Sequence, residues 1–367
     1  MKSADAVIIG GGCMGTSTAY HLALLGCTDI VLLEGDALGS GSTGKSAGAF
    51  RVQHNDHLNT SLVHRSLPEF ENFEAMTGSD IQFKKVGFLF LYDNDDDMNA
   101  FATAAEIPRQ LGYSIDFLSP SQVLEIVPQL HVDDLVGASF CPQSGYMTPD
   151  AVVQGYAQAA RALGATVRAG QQVISIDTDG DRVVGVTTTK ETIATDTVVI
   201  TAGVGSAQLA QMVGLDLPVV GEARTIFFSD QNAGIANDAP VTIDFGSGFY
   251  FHREGAGMIF AGRESDPEEL SGPSMHRLPC IADIPIRSSW WGYYDVSPDH
   301  NALIGAASST AGVYYATGFS GHGFMQSPAV GEHLAELITG KEPTLDLAEL
   351  SADRISNGIL RTERFVI

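Results

Sequence analysis

Four apolar residues, Ala6-Val7-Ile8-Ile9, run directly into Gly10-Gly11-Gly12-Cys13-Met14-Gly15, and a helical stretch from Thr16 to Leu25 follows. A buried strand, a G-x-G-x-x-G turn and a helix in this order commit the chain to a parallel α/β layer, because the helix must fold back over the strand. Gly10 permits the tight turn, Gly12 lets the backbone approach a pyrophosphate, and Gly15 lets the helix sit close on the strand. The helix N-terminus then aims its positive end at the phosphates. A second apolar run, Ile30-Val31-Leu32-Leu33, ends in Glu34, 19 residues after Gly15. A carboxylate there accepts hydrogen bonds from ribose hydroxyls and repels a 2′-phosphate. The unit therefore reads as a dinucleotide site, and not one for NADP.

The bulk properties narrow the class. A chain of 367 residues exceeds one typical core and suggests two domains. Its 20 basic and 44 acidic residues give a net charge of −24, which argues against nucleic acid and against an anionic membrane surface. No apolar run approaches the roughly 18 to 20 residues that span a bilayer, and no charged leader precedes the strand at residue 6. A cytoplasmic protein is expected. Cys13, Cys27, Cys141 and Cys280 form no C-x-x-C pair, so reduced thiols and no zinc site are expected. The run Asp93-Asn94-Asp95-Asp96-Asp97 lacks the glycine and glutamate of a calcium loop and reads as a solvated loop. His54 and His57 likewise read as loop residues, without a third ligand.

Further along, a loop of small residues, 39 to 49, ends in Phe50-Arg51. Residues 58–76 have the spacing of an amphipathic helix, 83–91 are strand-like, 97–111 helical, and Ser119-Pro120 opens a short helix. A long helix is expected over 150–163, followed by a three-stranded antiparallel meander at 166–167, 173–176 and 183–186. Thr197 to Ser206 reads as buried strand, small residues, then helix; 217–291 is strand-rich. Val313 to Thr317, the loop Gly318 to Gly323 and a helix over 328–339 repeat the strand–glycine loop–helix order. The expected fold is α/β (α+β, two domains): a Rossmann-like domain of residues 1–79, 146–215 and 301–367, interleaved with a substrate domain of 80–145 and 216–300 on a mainly antiparallel sheet. The loops at 10–15, 201–206 and 318–323 should then converge at the C-terminal strand ends.

Those three loops, the stretch Ala316-Thr317-Gly318-Phe319-Ser320-Gly321-His322-Gly323-Phe324-Met325 and the segment Ser297-Pro298-Asp299-His300-Asn301 carry a resemblance. Across nearly its whole length the chain resembles the FAD-dependent oxidoreductases of the D-amino-acid oxidase (DAO) type. It is most similar to the branch of the sarcosine oxidase β-subunit, glycine oxidase and dye-linked proline dehydrogenase. The resemblance implies that Gly10, Gly12, Cys13, Met14, Gly15, Glu34 and Gly35 hold the ADP half of FAD. It places Ser42, Thr43, Lys45, Ser46 and Ala47 along the ribityl chain and flavin, and Val173, Ala202 and Gly203 on the adenine side. Gly321, His322, Gly323, Phe324 and Met325 would border the pyrimidine ring, where a helix N-terminus stabilises negative charge.

The implied chemistry is hydride transfer from the carbon beside an amine to flavin N5, followed by imine hydrolysis. The substrate would be a small amino acid or secondary amine of the sarcosine, proline, glycine or D-amino-acid type, with O2 or another electron acceptor. Arg51 matches the substrate-carboxylate arginine, with Arg263 second; Tyr250, Tyr294 and His322 are candidates to orient the amine. Trp290 and Trp291 read as interface packing. Gly292 stands where some relatives attach the flavin through cysteine, and Thr148-Pro149 where others carry FMN on histidine, so noncovalent FAD is expected. Ala261 and Met325 replace two lysines of the monomeric sarcosine oxidases, which argues against sarcosine oxidase activity and makes a dehydrogenase passing electrons to another acceptor a serious option. A homo- or hetero-oligomer fits either, and an FAD-binding subunit inactive without its partner is the alternative.

Overall fold

Alternation along two short strands organises the first layer. In a computed structural model describing residues 2–366, Ala6–Ile9 and Ile30–Leu33 lie side by side, parallel and wholly buried. Met1 and Ile367, the ends of the expected first domain, lie outside the described residues. Ala6, Ile8, Ile30 and Leu32 pack into one core with the helices Cys13–Leu24, Pro149–Ala162 and Ser327–Thr339. Val7, Ile9, Val31 and Leu33 face the other way, into a second core with Val173, Ile176, Val183 and Ile193. Burial on both faces is why these strands read as unbroken apolar runs. The six-stranded sheet runs Leu303–Ala306, Val313–Thr317, Val198–Ile200, Ala6–Ile9, Ile30–Leu33, Thr166–Arg168, and only Leu303–Ala306 is antiparallel to its neighbour.

The second layer is an eight-stranded sheet. Its order is Ser288–Val296, Val220–Ser229, Gly257–Ala261, Tyr250–Glu254, Val241–Asp244, Phe88–Tyr92, Gly137–Cys141, Asp116–Leu118. Only the pair Val241–Asp244 and Phe88–Tyr92 is parallel. Along Val220–Ser229 the phase separates Ile226 and Phe228, which pack with Ala47, Tyr250 and Trp290, from Phe227, which joins the opposite core. The first of these faces looks toward the six-stranded layer.

Several expectations need correction. Thr166–Arg168 is not in a meander; Gly164, at φ +110°, turns the chain after the helix so that this strand pairs with Ile30–Leu33. The antiparallel partners are Val173–Asp179, Arg182–Thr188 and Thr192–Ala194, with Lys2–Ser3 added in parallel. The helix over 58–76 breaks into His57–Glu71 and Phe73–Thr77, because Asn72 donates its side-chain amide to the Pro68 carbonyl at 2.7 Å. Asp95, Asp96 and Asp97 are not a loop but the first turn of Asp95–Ala104, capped by Asn94, where negative charge is favoured. The strand-rich stretch also contains the helix Pro267–Arg277, capped by Asp266. Among the described residues no helix is long and apolar enough to cross a membrane.

Candidate active site

The three glycine loops, the 40–51 loop and the inner face of the eight-stranded sheet enclose one cavity of about 920 Å³. It lies beyond the C-terminal ends of the parallel strands, where such sheets bind ligands. Every residue assigned to the cofactor from the sequence lines it except Gly15, and Arg51, Tyr250, Tyr294 and His322 line it too. Gly15 acts from behind: a Cβ there would stand 1.9 Å from the Gly10 carbonyl oxygen, so the helix can approach the turn only with glycine.

The first helix presents its N-terminus to the cavity. Gly12 gives it no side-chain cap, and no acid sits in its first turn. A positive dipole end with no acid beside it suits phosphate. The Cys13 amide donates to Thr43 Oγ1 at 3.2 Å, tying this turn to the 42–47 loop. Glu34 accepts from the Gly11 amide at 2.7 Å and from the Asp36 amide at 2.9 Å, which fixes its carboxylate at the cavity rim. The 42–47 loop is anchored from the sheet side. Trp290 Nε1 donates to the Lys45 carbonyl at 3.1 Å, and His252 Nε2 lies 3.0 Å from the Ala47 carbonyl.

At the far end, Asp295 holds the 317–323 loop, accepting from the Gly318 amide at 2.8 Å and from the Thr317 hydroxyl at 3.3 Å. Burial pushes its carboxyl up to about 6 against these bonds. Gly321, at φ +93°, lies so close to Tyr294 that a Cβ would be 2.5 Å from the ring. Beyond it, Phe324–Gln326 leads into the helix Ser327–Thr339, whose start also lacks a side-chain cap. His322 is buried between the His300 carbonyl and Gln326, and burial followed by the Arg51 charge lowers it to about 3, so it is neutral. Its ring meets that of His54 at 5.4 Å; His54 does lie in a loop, but fully buried.

The arginines differ. Arg51 is 5 % exposed, donates to the carbonyls of Gln53 and Phe365, and lies 5.5 Å from the Phe90 ring. Arg263 is outside the cavity, bonded to the carbonyls of Phe245 and Gly246. Arg224 lines the cavity, with its guanidinium 5.2 Å from the Tyr294 ring. Sequence reasoning missed Arg224 and Asp295, and it gave Trp290 to packing although Trp290 lines the cavity. The legible signal was strand phase, since Arg224 shares a face with Ile226 and Phe228. Tyr250 and Tyr294 are both raised by desolvation and are neutral phenols. Away from the cavity, His131, Asp134 and His276 bring ligand atoms within 4.8 Å of one another. Arg277 bonds both Asp134 oxygens, at 2.8 and 2.9 Å, and makes this an ion-pair cluster instead.

Residues 5–337 match the family described as FAD dependent oxidoreductase, DAO. The chain belongs to this family. Mitochondrial sarcosine dehydrogenase of Mus musculus is 28% identical over 393 residues, covering 100% of this chain and 43% of the relative. The chain thus spans less than half the length of such relatives. Sarcosine oxidase subunit beta of Rhizobium meliloti is 26% identical over 379 residues, covering 98% of this chain and 90% of that one. Among solved structures, L-proline dehydrogenase from P. horikoshii superposes with a TM-score of 0.90 at 30% identity, covering 98% of this chain and all of the other. The residues present fit the family's cofactor: one helix N-terminus for the diphosphate, a carboxylate held at the cavity by the Gly11 amide, and a second helix start at the opposite end.

Proposed function

We propose that the cavity binds FAD noncovalently and that the chain oxidises the C–N bond of a small amino acid or secondary amine. One observation carries this reading: a dinucleotide-phosphate helix terminus, a second helix start and an arginine- and tyrosine-lined sheet face open onto the same space. Noncovalent attachment is supported by Gly292, where a Cβ would sit 2.6 Å from Lys45 Cβ and leave no room for a cysteine. Of the four free cysteines only Cys13 lines the cavity. The free thiols also support a cytoplasmic setting.

Bound FAD would supply the electron-pair acceptor for the carbon beside nitrogen. The chain's own residues supply the setting. Tyr250 and Tyr294, held neutral, form a dry aromatic flank for the substrate. Arg51 borders the cavity and gives it positive potential for a carboxylate, while its hydrogen bonds hold the 363–366 segment in place. His322 donates from Nε2 and accepts at Nδ1 within the protein, so it shapes the loop beside the cofactor and leaves no free lone pair for the substrate. The domain division at residues 80, 146, 216 and 301 belongs to the same proposal.

Anaerobic mixing with a panel of amino acids and amines tests the reading. The purified protein should be yellow, and at least one secondary amino acid should bleach it; readmitted oxygen then separates an oxidase from a dehydrogenase by the reoxidation rate. A protein that takes up no FAD sinks the proposal. A second reading, an FAD-binding subunit inactive alone, is favoured by the chain's matching only 43% of the mitochondrial relative's length. It predicts flavin that no amine bleaches until another chain is added.

A further inference from the structure

Residues 361–366 form neither strand nor helix, so their backbone must find partners elsewhere. Two stretches supply them. At the 299–301 turn, the Asp299 carboxylate accepts from the Arg361 amide at 3.1 Å and the Asp299 carbonyl from the Glu363 amide at 3.0 Å. Asn301 Nδ2 donates to the Arg361 carbonyl. From the 51–59 stretch, Asn55 Nδ2 donates to the Thr362 carbonyl at 3.1 Å, and Arg51 donates to the Phe365 carbonyl. Two side chains of the segment act as anchors. Glu363 is fully buried and accepts from the Asn55 amide at 3.2 Å and from Asn59 Nδ2 at 2.9 Å. Phe365 is buried too, its ring stacked on Phe101 with centroids 3.5 Å and planes 8° apart.

These anchors hold the segment against the site. Phe365 belongs to one apolar cluster with Phe88, Val241 and Ile243, and Tyr250 packs on it; those four line the cavity from the sheet side. Val366, the next residue, lines the same cavity. Arg51 closes the corner, because it lines the cavity while its terminal nitrogens hold the Gln53 and Phe365 carbonyls. A backbone pinned in this way cannot retreat from a larger side chain or a larger ligand. Volume at position 366 is therefore taken from the room left for the ligand.

We propose that residues 361–366 are a strap that completes the cavity wall at the Arg51 corner, and that Val366 determines specificity there. Its bulk sets the largest substituent that a substrate can carry at this wall. The inference rests on the amino-acid reading of the site, and it adds a size limit imposed by chain outside both large sheets.

The test uses the FAD-loaded protein and its Val366→Ala and Val366→Trp variants. Perturbation of the flavin absorbance reports binding of pyrrole-2-carboxylate and of the bulkier indole-2-carboxylate without turnover. Val366→Trp should weaken the indole acid about tenfold or more beyond its effect on the pyrrole acid, the scale of a misfit methylene in an apolar pocket. Val366→Ala should move the ratio the other way. A second variant, Phe365→Ala, removes the anchor without touching the cavity lining. It should raise acrylamide quenching of the flavin fluorescence about twofold or more, as a loosened wall admits the quencher. An unchanged ratio of the two affinities in both Val366 variants overturns the inference, as does wild-type quenching in folded, FAD-loaded Phe365→Ala. If neither acid binds the wild type, the amino-acid reading falls, and the quenching comparison alone decides whether the strap closes the cavity.

Discussion

His322 is 2 % exposed, and its two ring nitrogens are both used: Nε2 faces the His300 carbonyl at 3.1 Å and Nδ1 faces Gln326 Nε2 at 3.3 Å. A carbonyl can only accept, so Nε2 carries the proton and Nδ1 accepts from the amide. The ring is therefore neutral, with its pKa pushed down to about 3 by burial first and by Arg51 second. An unfolded chain binds this proton near pH 6.5 and the folded chain only near 3. The stability it contributes is thus complete above about pH 6.5 and is lost as pH falls toward 3. At pH 5 the loss is about 2 kcal/mol. Urea unfolding of His322→Gln at pH 7 and pH 5 should show an acid penalty smaller than the wild type's by about that amount. His54, lowered in the same direction, keeps part of the slope in the variant. Coincident acid limbs would show that the wild-type ring takes up its proton in the folded state.

Between elements, a close approach joins the first and last long helices. Gly331, inside Ser327–Thr339, faces Ser17 of Cys13–Leu24, and a Cβ there would lie 2.2 Å from Ser17 Oγ and 2.7 Å from its backbone carbon. Alanine would bring up to about 1 kcal/mol of helix propensity, but overpacking costs about 1–3 kcal/mol when backbone cannot yield. The clash wins: Gly331→Ala should lower the unfolding free energy by about 1–2 kcal/mol in urea melts, and adding Ser17→Ala should recover less than half, since the backbone contact persists. Unchanged stability would mean the helices part freely. Both helices were legible from the sequence, as were the loops they follow, because strand, glycine turn and helix are contiguous in the chain. The meander was misread for the opposite reason. Nothing local to Thr166-Val167-Arg168 says that its partner is Ile30–Leu33, more than a hundred residues away, rather than the hairpin next to it.

For the whole molecule, the same distinction governs the site. The residues around Gly10, Ser42 and Gly321 were readable because each loop is a short motif, and they do share one cavity. Arg51 was readable as a cation after a cofactor loop, but its bond to Phe365, 314 residues away, was not. Arg224 was hidden because its meaning depends on Gly292 across the sheet and on Tyr294 beneath it. Net charge is the one global property open to sequence alone, and it makes a global prediction. With 44 acids against 20 bases the folded chain carries −24, and compaction brings these like charges together. Surface pairs such as Arg65–Glu332 and Arg109–Glu106 oppose this, but each contributes at most about 1 kcal/mol and is itself screened. The excess of acids should therefore decide the sign. Raising KCl from about 0.1 M to about 1 M shortens the screening length from roughly 10 Å to roughly 3 Å, so repulsion fades and Tm should rise by a few degrees. NaCl at equal ionic strength should give the same rise, because screening depends on charge and not on the cation. A Tm that is flat or falls over this range would show that the acids are matched locally, and that the ion pairs, not the net charge, govern how this surface responds to salt.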